Sequence, residues 1–221
     1  MPILPNVPEN FPAPTGGGAP TVVQSASDYQ EPTGNVVFNA NITAGNHIIL
    51  FQFVFNGGWD GNTLPTDTLL NTYQPDQDFG NACNIFSAYS PAGGANTVDC
   101  TGMGGNGSQL LVIEVSGLKT TNWFDTGNNQ QNVFVDGRAG NITLAGNDFV
   151  VVADTNFAGF GNYNTPDGAP YTELVVDDEG QSGKFHGYLP RILYGVDSGT
   201  INPGWTDSLT SYDASAAYLP A

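Results

Sequence analysis

Two histidines, His47 and His186, and two cysteines, Cys83 and Cys100, are the side chains here best suited to nucleophilic or metal chemistry. Their surroundings do not develop it. A hydrolytic serine needs a base and a sharp Gly-x-Ser-x-Gly turn, and that string is missing. His47 opens an apolar run and His186 sits in Lys184-Phe-His-Gly, so each reads as an ordinary buried or surface histidine. No ligand pair has the short C-x₂-C or H-x₃-H spacing of a zinc site. The densest carboxylates are Glu173, Asp177, Asp178 and Glu179. Glycoside hydrolysis would need two of them about 5–10 Å apart across a cleft, whereas Val176-Asp-Asp-Glu-Gly180 reads first as a solvated turn.

Weaker candidates lie in the turns. Trp59-Asp-Gly-Asn62, Asp125-Thr-Gly-Asn-Asn129 and Asp136-Gly-Arg-Ala-Gly-Asn141 offer oxygen ligands of the kind Ca²⁺ takes. None completes a calcium-loop pattern, and Asx residues favour plain turns for their own hydrogen-bonding reasons. The expectation is no cofactor, with a structural calcium as the lesser option. Trp59 and Trp205 are candidate sugar-stacking residues, with Trp123, Tyr163 and Tyr171 behind them; the competing reading is that these rings cap the core. Gly102-Met-Gly-Gly-Asn-Gly107 lacks the Lys-Ser/Thr ending of a phosphate loop and reads as a connection. No catalytic residue emerges, and the chain reads as a non-enzyme.

The elements that would carry these residues are short apolar runs separated by Gly, Asn and Asp. Strands are expected at 21–27, 36–39, 47–55, 68–73, 83–89, 97–101, 109–115, 132–135, 141–144, 148–154, 171–176, 184–194 and 214–219. Their shortness and spacing predict an all-β, antiparallel two-sheet sandwich, jelly-roll-like, over residues 21–221. Ile48-Ile-Leu-Phe, Leu110-Leu-Val-Ile and Phe149-Val-Val-Val are nearly continuous apolar runs, as expected of central strands covered on both faces. Ser211-Tyr-Asp-Ala-Ser-Ala-Ala-Tyr could also make one helical turn. Ile42-Thr-Ala-Gly-Asn46 and Ile142-Thr-Leu-Ala-Gly-Asn147 look like two similar strand-turn-strand junctions. Folding at Ser90–Asn96 would bring Cys83 near Cys100, so a cross-strand disulfide competes with two buried thiols.

Charge narrows the partners. The chain has 21 acidic residues against four basic ones, a net charge of −17, and only 11% charged residues. It therefore repels phosphate backbones and anionic membranes, which excludes nucleic acid and membrane surfaces as partners. The first residues lack the basic and apolar regions of a secretory signal, so the expectation is a product made in the cytosol or exported by another route, the alternative being a signal already removed.

Residues 1–20 form the other unusual region. Pro2, Pro5, Pro8, Pro12 and Pro14 favour an extended, polyproline-like arm, ending at Gly16-Gly-Gly18. Ile3, Leu4, Val7 and Phe11 stud it with apolar side chains that a solubilising tail would not need. These four are the candidate partner-binding residues.

Thr43-Ala-Gly-Asn46, Ala92-Gly-Gly-Ala-Asn-Thr-Val98, Leu110-Leu-Val-Ile-Glu-Val-Ser-Gly-Leu118 and Gly146-Asn-Asp-Phe-Val-Val-Val-Ala153 carry a family resemblance. With Pro20-Thr-Val-Val-Gln-Ser-Ala-Ser27 as first strand, the chain resembles a recurrent β-sandwich domain of bacterial secreted and phage-associated surface proteins. The resemblance spans roughly 20–219. It implies a sandwich module without shared catalytic residues. The proline-rich start points to the phage-associated branch. The expectation is a virion structural protein on the virion surface: a capsid decoration, head-fibre or tail-appendage subunit. Its arm would fasten it to another copy or to a different virion protein. The alternative is a secreted or cell-surface module that binds carbohydrate or forms filaments.

Overall fold

The computed structural model describes residues 18–30, 34–54, 59, 61–79, 83–103, 108–132, 136–156, 165–175, 189–206 and 210–221. The arm residues Ile3, Leu4, Val7 and Phe11 lie outside these, as do Tyr163, Asp177–Glu179 and His186. Among the described residues the chain is all-β, without a helix, and every ladder is antiparallel.

The first half contains β1 (Thr21–Gln30), β2 (Asn35–Val37), β3 (His47–Phe53) and β4 (Thr66–Asp67). It continues with β5 (Tyr73–Phe79), β6 (Cys83–Tyr89), β7 (Thr97–Asp99) and β8 (Ser108–Ser116). The second half begins with β9 (Phe124–Asn132), β10 (Gly137–Arg138), β11 (Ile142–Thr143), β12 (Asp148–Asn156) and β13 (Thr165–Pro166). β14 (Thr172–Val175), β15 (Leu189–Asp197), β16 (Thr200–Ile201), β17 (Gly204–Thr206) and β18 (Ser211–Tyr218) complete it.

The halves repeat one another strand for strand. In the first, a five-stranded sheet runs β5-β6-β3-β8-β1 and a three-stranded sheet runs β2-β7-β4. In the second, the orders are β14-β15-β12-β18-β9 and β10-β17-β13. The β11–β16 ladder of the second half has its counterpart in the isolated bridge Ile42↔Gly94. Even the irregularities match: a bulge at Val23 breaks the β1–β8 register, and one at Asp125 breaks that of β9–β18. The junctions at Asn41-Ile-Thr and Asn141-Ile-Thr enter the central strands β3 and β12.

Hydrophobic burial stacks these sheets. Alternate residues of the central strands, Ile49, Phe51 and Phe53 on β3 and Phe149, Val151 and Ala153 on β12, meet in one core between the five-stranded sheets. The intervening residues face outward, beneath the three-stranded sheets. Ile48 and Leu50 meet Val36, Phe38 and Val98, while Val150 and Val152 meet Ala139 and Trp205. A strand covered on both faces cannot afford an alternating polar face, which explains the unbroken apolar runs. Among the described residues the strands thus form five antiparallel ladder systems, two of them five-stranded.

Three segments depart from the sequence expectation. The strand expected at 68–73 is a turn, because Asp67 gathers it. Its Oδ1 accepts the N–H groups of Leu69 (3.1 Å) and Asn71 (3.0 Å), and Leu70 adopts φ 61°. β5 follows instead, through a polar Tyr-Gln-Pro-Asp-Gln-Asp-Phe string with a bulge at Asp76. The supposed calcium segment 125–129 lies inside β9, an edge strand that presents its polar side chains outward. The suggested helical turn at 211–218 is β18, whose Ala214 and Ala216 fill the shared core from an interior strand.

Candidate functional site

Cys83 and Cys100 are both buried and are not joined in a disulfide. β6 does not fold back on β7: it pairs with β3 and β5, while β7 pairs with β2 and β4. Cys83 therefore packs in the shared core and Cys100 in the outer core of the first half. Trp205 is fully buried, its Nε1 donating to Glu173 Oε1 at 2.9 Å, and cannot stack on a sugar. Trp59 stays half-buried, edge-on to Phe86 at 5.0 Å between ring centroids. Trp123 donates from Nε1 to Ser87 Oγ at 2.8 Å, and Tyr171 donates to Asp197 Oδ2 at 2.7 Å.

Several carboxylates are held by internal hydrogen bonds and ion pairs. Glu114, fully buried, accepts from Gln24 Nε2 (2.6 Å), the Thr43 N–H (2.8 Å) and Asn46 Nδ2 (2.6 Å). It ties the first junction to β8 with neutral donors alone. Glu173 joins a network that sequence reasoning missed. Arg191, 4% exposed, donates to Asp154 at 2.7 Å, lies 3.7 Å from Glu173 and sits over the Trp205 ring at 4.9 Å. Pairing across β12 and β15 places Arg191 opposite Asp154, a relation visible only once register is fixed. Arg138 grips Asp167 through two bonds, of 2.8 and 3.1 Å. Among the described residues, no group of three or more His, Cys, Asp or Glu side chains could hold a metal. No helix among them is long and apolar enough to cross a membrane.

The seam between the halves holds two titratable groups. His47 is buried between Tyr89 and Trp123, with ring centroids 5.2 and 5.1 Å away. Burial lowers its pKa to about 4, and the Lys119 backbone offsets only part of that. Asp76 accepts from Tyr218 Oη (2.7 Å) and Gln74 Nε2 (2.8 Å), and desolvation raises its pKa to about 6 despite these bonds. Neither group opens to solvent, so neither can serve a substrate as base or acid.

A groove of about 440 Å³, lined by residues of both five-stranded sheets, opens to solvent. Its walls are the start of β1 (Pro20 to Val22) and Thr172, Tyr194 and Val196 of β14 and β15, with Phe149 as floor. β1 and β14 are edge strands, so backbone groups on both flanks have no partner strand within the sheet. Residues 18–21 are fixed at this mouth: Thr21 and Ser116 share a 2.9 Å hydroxyl bond, and Gly117 packs against Gly18. A Cβ at Gly117 would come within 2.9 Å of the Gly18 carbonyl oxygen, and its φ of 79° favours glycine as well.

The groove marks one end of the molecule. Strand ends leading into 31–33, 55–58, 80–82 and 104–107 lie at the opposite end, as do those leading into 133–135, 157–164, 176–188 and 207–209. The halves run the same way. Phe79 and Tyr212 meet at that far end, 5.5 Å apart, while His47 and Trp123 meet at the groove end.

No family model matches the chain, and neither the curated proteins nor the solved structures give a match. The resemblance to the surface-protein domain rests on the quoted motifs.

Proposed function

We propose that this chain is a non-enzymatic structural subunit of a phage virion, displayed on the virion surface and anchored through its N-terminal arm. The observation that carries the reading is the repeated strand order. The nested pairs β1/β8, β2/β7 and β3/β6 recur as β9/β18, β10/β17 and β12/β15, which supports a jelly-roll-like reading of each half, while β5 and β14 depart from that scheme by pairing with β6 and β15. Jelly rolls recur in capsid and lectin domains, where sheet packing supplies rigidity and loops supply contacts. Fold alone does not fix function, but two further features agree with it. The arm root sits at one end and eight connections leave from the other, an arrangement suited to anchoring and display. Among the described residues, Glu114, Asp154, Asp167, Arg138 and Arg191 are engaged in internal bonds; Asp177, Asp178 and Glu179 lie outside those residues.

The partner is a second copy or another virion protein. The carbohydrate-binding alternative loses Trp205 to the core and keeps only Trp59 of its two tryptophans. Deleting residues 1–17 is the test. The body should stay folded by circular dichroism and thermal melting, while incorporation into particles, read by mass spectrometry of purified virions, is lost. Undiminished incorporation of the truncated chain sinks the reading.

A further inference from the structure

We infer that the inter-sheet groove is the seat for the N-terminal arm of a second copy of this chain, so that two copies exchange arms. The inference rests on the anchoring role proposed above and names both the seat and the partner.

Three observations select this occupant. First, the groove is apolar where it is deep, with Phe149, Tyr194 and Val196, and open along the edge of β1. Val22 of that edge lines the groove and packs on the shared core. The arm supplies the matching chemistry in Ile3, Leu4, Val7 and Phe11. Second, the arm leaves from the groove's own rim at Pro20. Five prolines within residues 1–14 favour an extended rod. At about 3.1 Å per residue, Phe11 then lies roughly 20 Å from Gly18 and Ile3 roughly 45 Å. Such a rod carries its apolar residues past its own groove. In a two-fold pair each arm departs where the other must arrive, which closes the assembly.

Third, charge favours a like partner held by apolar contact. Glu9 is the arm's one charged side chain, and the groove walls named above carry none. Two of the chain's four basic residues, Arg138 and Arg191, are bound internally. Two copies at −17 each repel through the rest of their surfaces. Salt screens that repulsion without weakening apolar docking, so association should tighten as ionic strength rises.

Mixing two full-length variants tests this. One carries Val7→Cys and the other Thr172→Cys, on the exposed rim; native Cys83 and Cys100 are buried and do not compete. Mild oxidation should trap a disulfide-linked heterodimer, and sedimentation of the unmodified chain should show a dimer that strengthens at least severalfold between 0.02 and about 0.5 M salt. Val196→Glu should shift the full chain to monomer while its thermal melt remains cooperative. A chain bearing both cysteines that links to itself as a monomer overturns the exchange, as does a full chain that is monomeric at every salt concentration. Absence of the link in a chain whose assembly still needs residues 1–17 overturns the groove and leaves the anchoring role standing. Assembly indifferent to residues 1–17 overturns both.

Discussion

In the first half, the layer beneath β2-β7-β4 is filled by Val36, Phe38, Ile48, Leu50, Phe86 and Met103. Its buried polar groups include a neutral pair, Asn84 donating to Gln52 at 3.2 Å, and the carboxylates Glu114 and Asp67, which neutral donors hold. In the second half, the layer beneath β10-β17-β13 is built from smaller residues around Trp205, and its intruders are the ions Arg191 and Asp154. Strand order and the bulges at Val23 and Asp125 are the same in both, although β5 carries a bulge at Asp76 that its counterpart β14 lacks. The repeated fold thus tolerates either chemistry, because pairing and alternation set the topology, while polar residues need only a partner. What differs is the penalty for breaking each pair. A lone buried ion is far costlier than a lone amide.

The largest expected effect follows from that asymmetry. Arg191→Met should destabilise the protein by about 3–5 kcal/mol, because it leaves Asp154 buried beside Glu173 without its cation. Asn84→Leu in the first half should cost only about 1–2 kcal/mol. Urea unfolding at pH 7 measures both, and equal losses would break the comparison.

The two junctions give the next contrast. Glu114→Ala should cost about 2–4 kcal/mol, since it strands donors from Gln24, Thr43 and Asn46. The second junction is held by Asp125 and Asp148, both accepting from the Ala145 N–H, at 3.0 and 3.2 Å. Burial and the Asp125 charge raise the Asp148 pKa. Asp125→Asn should therefore be neutral or slightly stabilising at pH 7, by less than about 1 kcal/mol. A loss as large as that of Glu114→Ala would show that the junctions are pinned alike.

The seam predicts the smallest net effect, by cancellation. His47 is protonated near pH 6.5 when unfolded and near 4 when folded, so its contribution is complete above 6.5 and is lost as pH falls toward 4. Asp76 runs the other way: its folded pKa near 6 exceeds the unfolded 3.8, so stability declines as pH rises from 3.8 to 6. Each term amounts to roughly 3 kcal/mol. The pair should leave little slope between pH 4 and 6. Relative to wild type, Asp76→Asn should lose stability as pH falls, and His47→Gln should lose it as pH rises. Parallel profiles for the three proteins would show that the seam does not titrate in this way.

The legible part of the fold was the set of strands that bury both faces. β3, β6, β8 and β12 announce themselves as apolar runs bounded by turns. β9 and β5 did not, since an edge strand can be wholly polar outside and needs only backbone pairing to exist. β18 was ambiguous because alanine fits helix and crowded interior strand alike. The two Asn-Ile-Thr junctions hinted at repetition, but Thr-Glu-Leu-Val and Tyr-Gln-Pro-Asp-Gln-Asp-Phe share nothing that reveals β14 and β5 as counterparts. Of the candidate site residues, Trp205 misled because a glycine-flanked tryptophan looks like a loop residue. Its place beneath Arg191 depends on pairing with residues more than sixty positions away in β10.

Composition and periodicity alone determined an all-β body, its central strands, its strong acidity and a proline-rich first segment with apolar residues, because these are local or additive properties of the chain. Tertiary structure decided the rest: that Cys83 and Cys100 sit in separate cores, that Arg191 meets Asp154, that the strand order repeats, and that the arm's root opens on a groove. Each of these depends on which strands become neighbours. That choice is made by burying both faces of two central strands at once, and no single segment of sequence contains it.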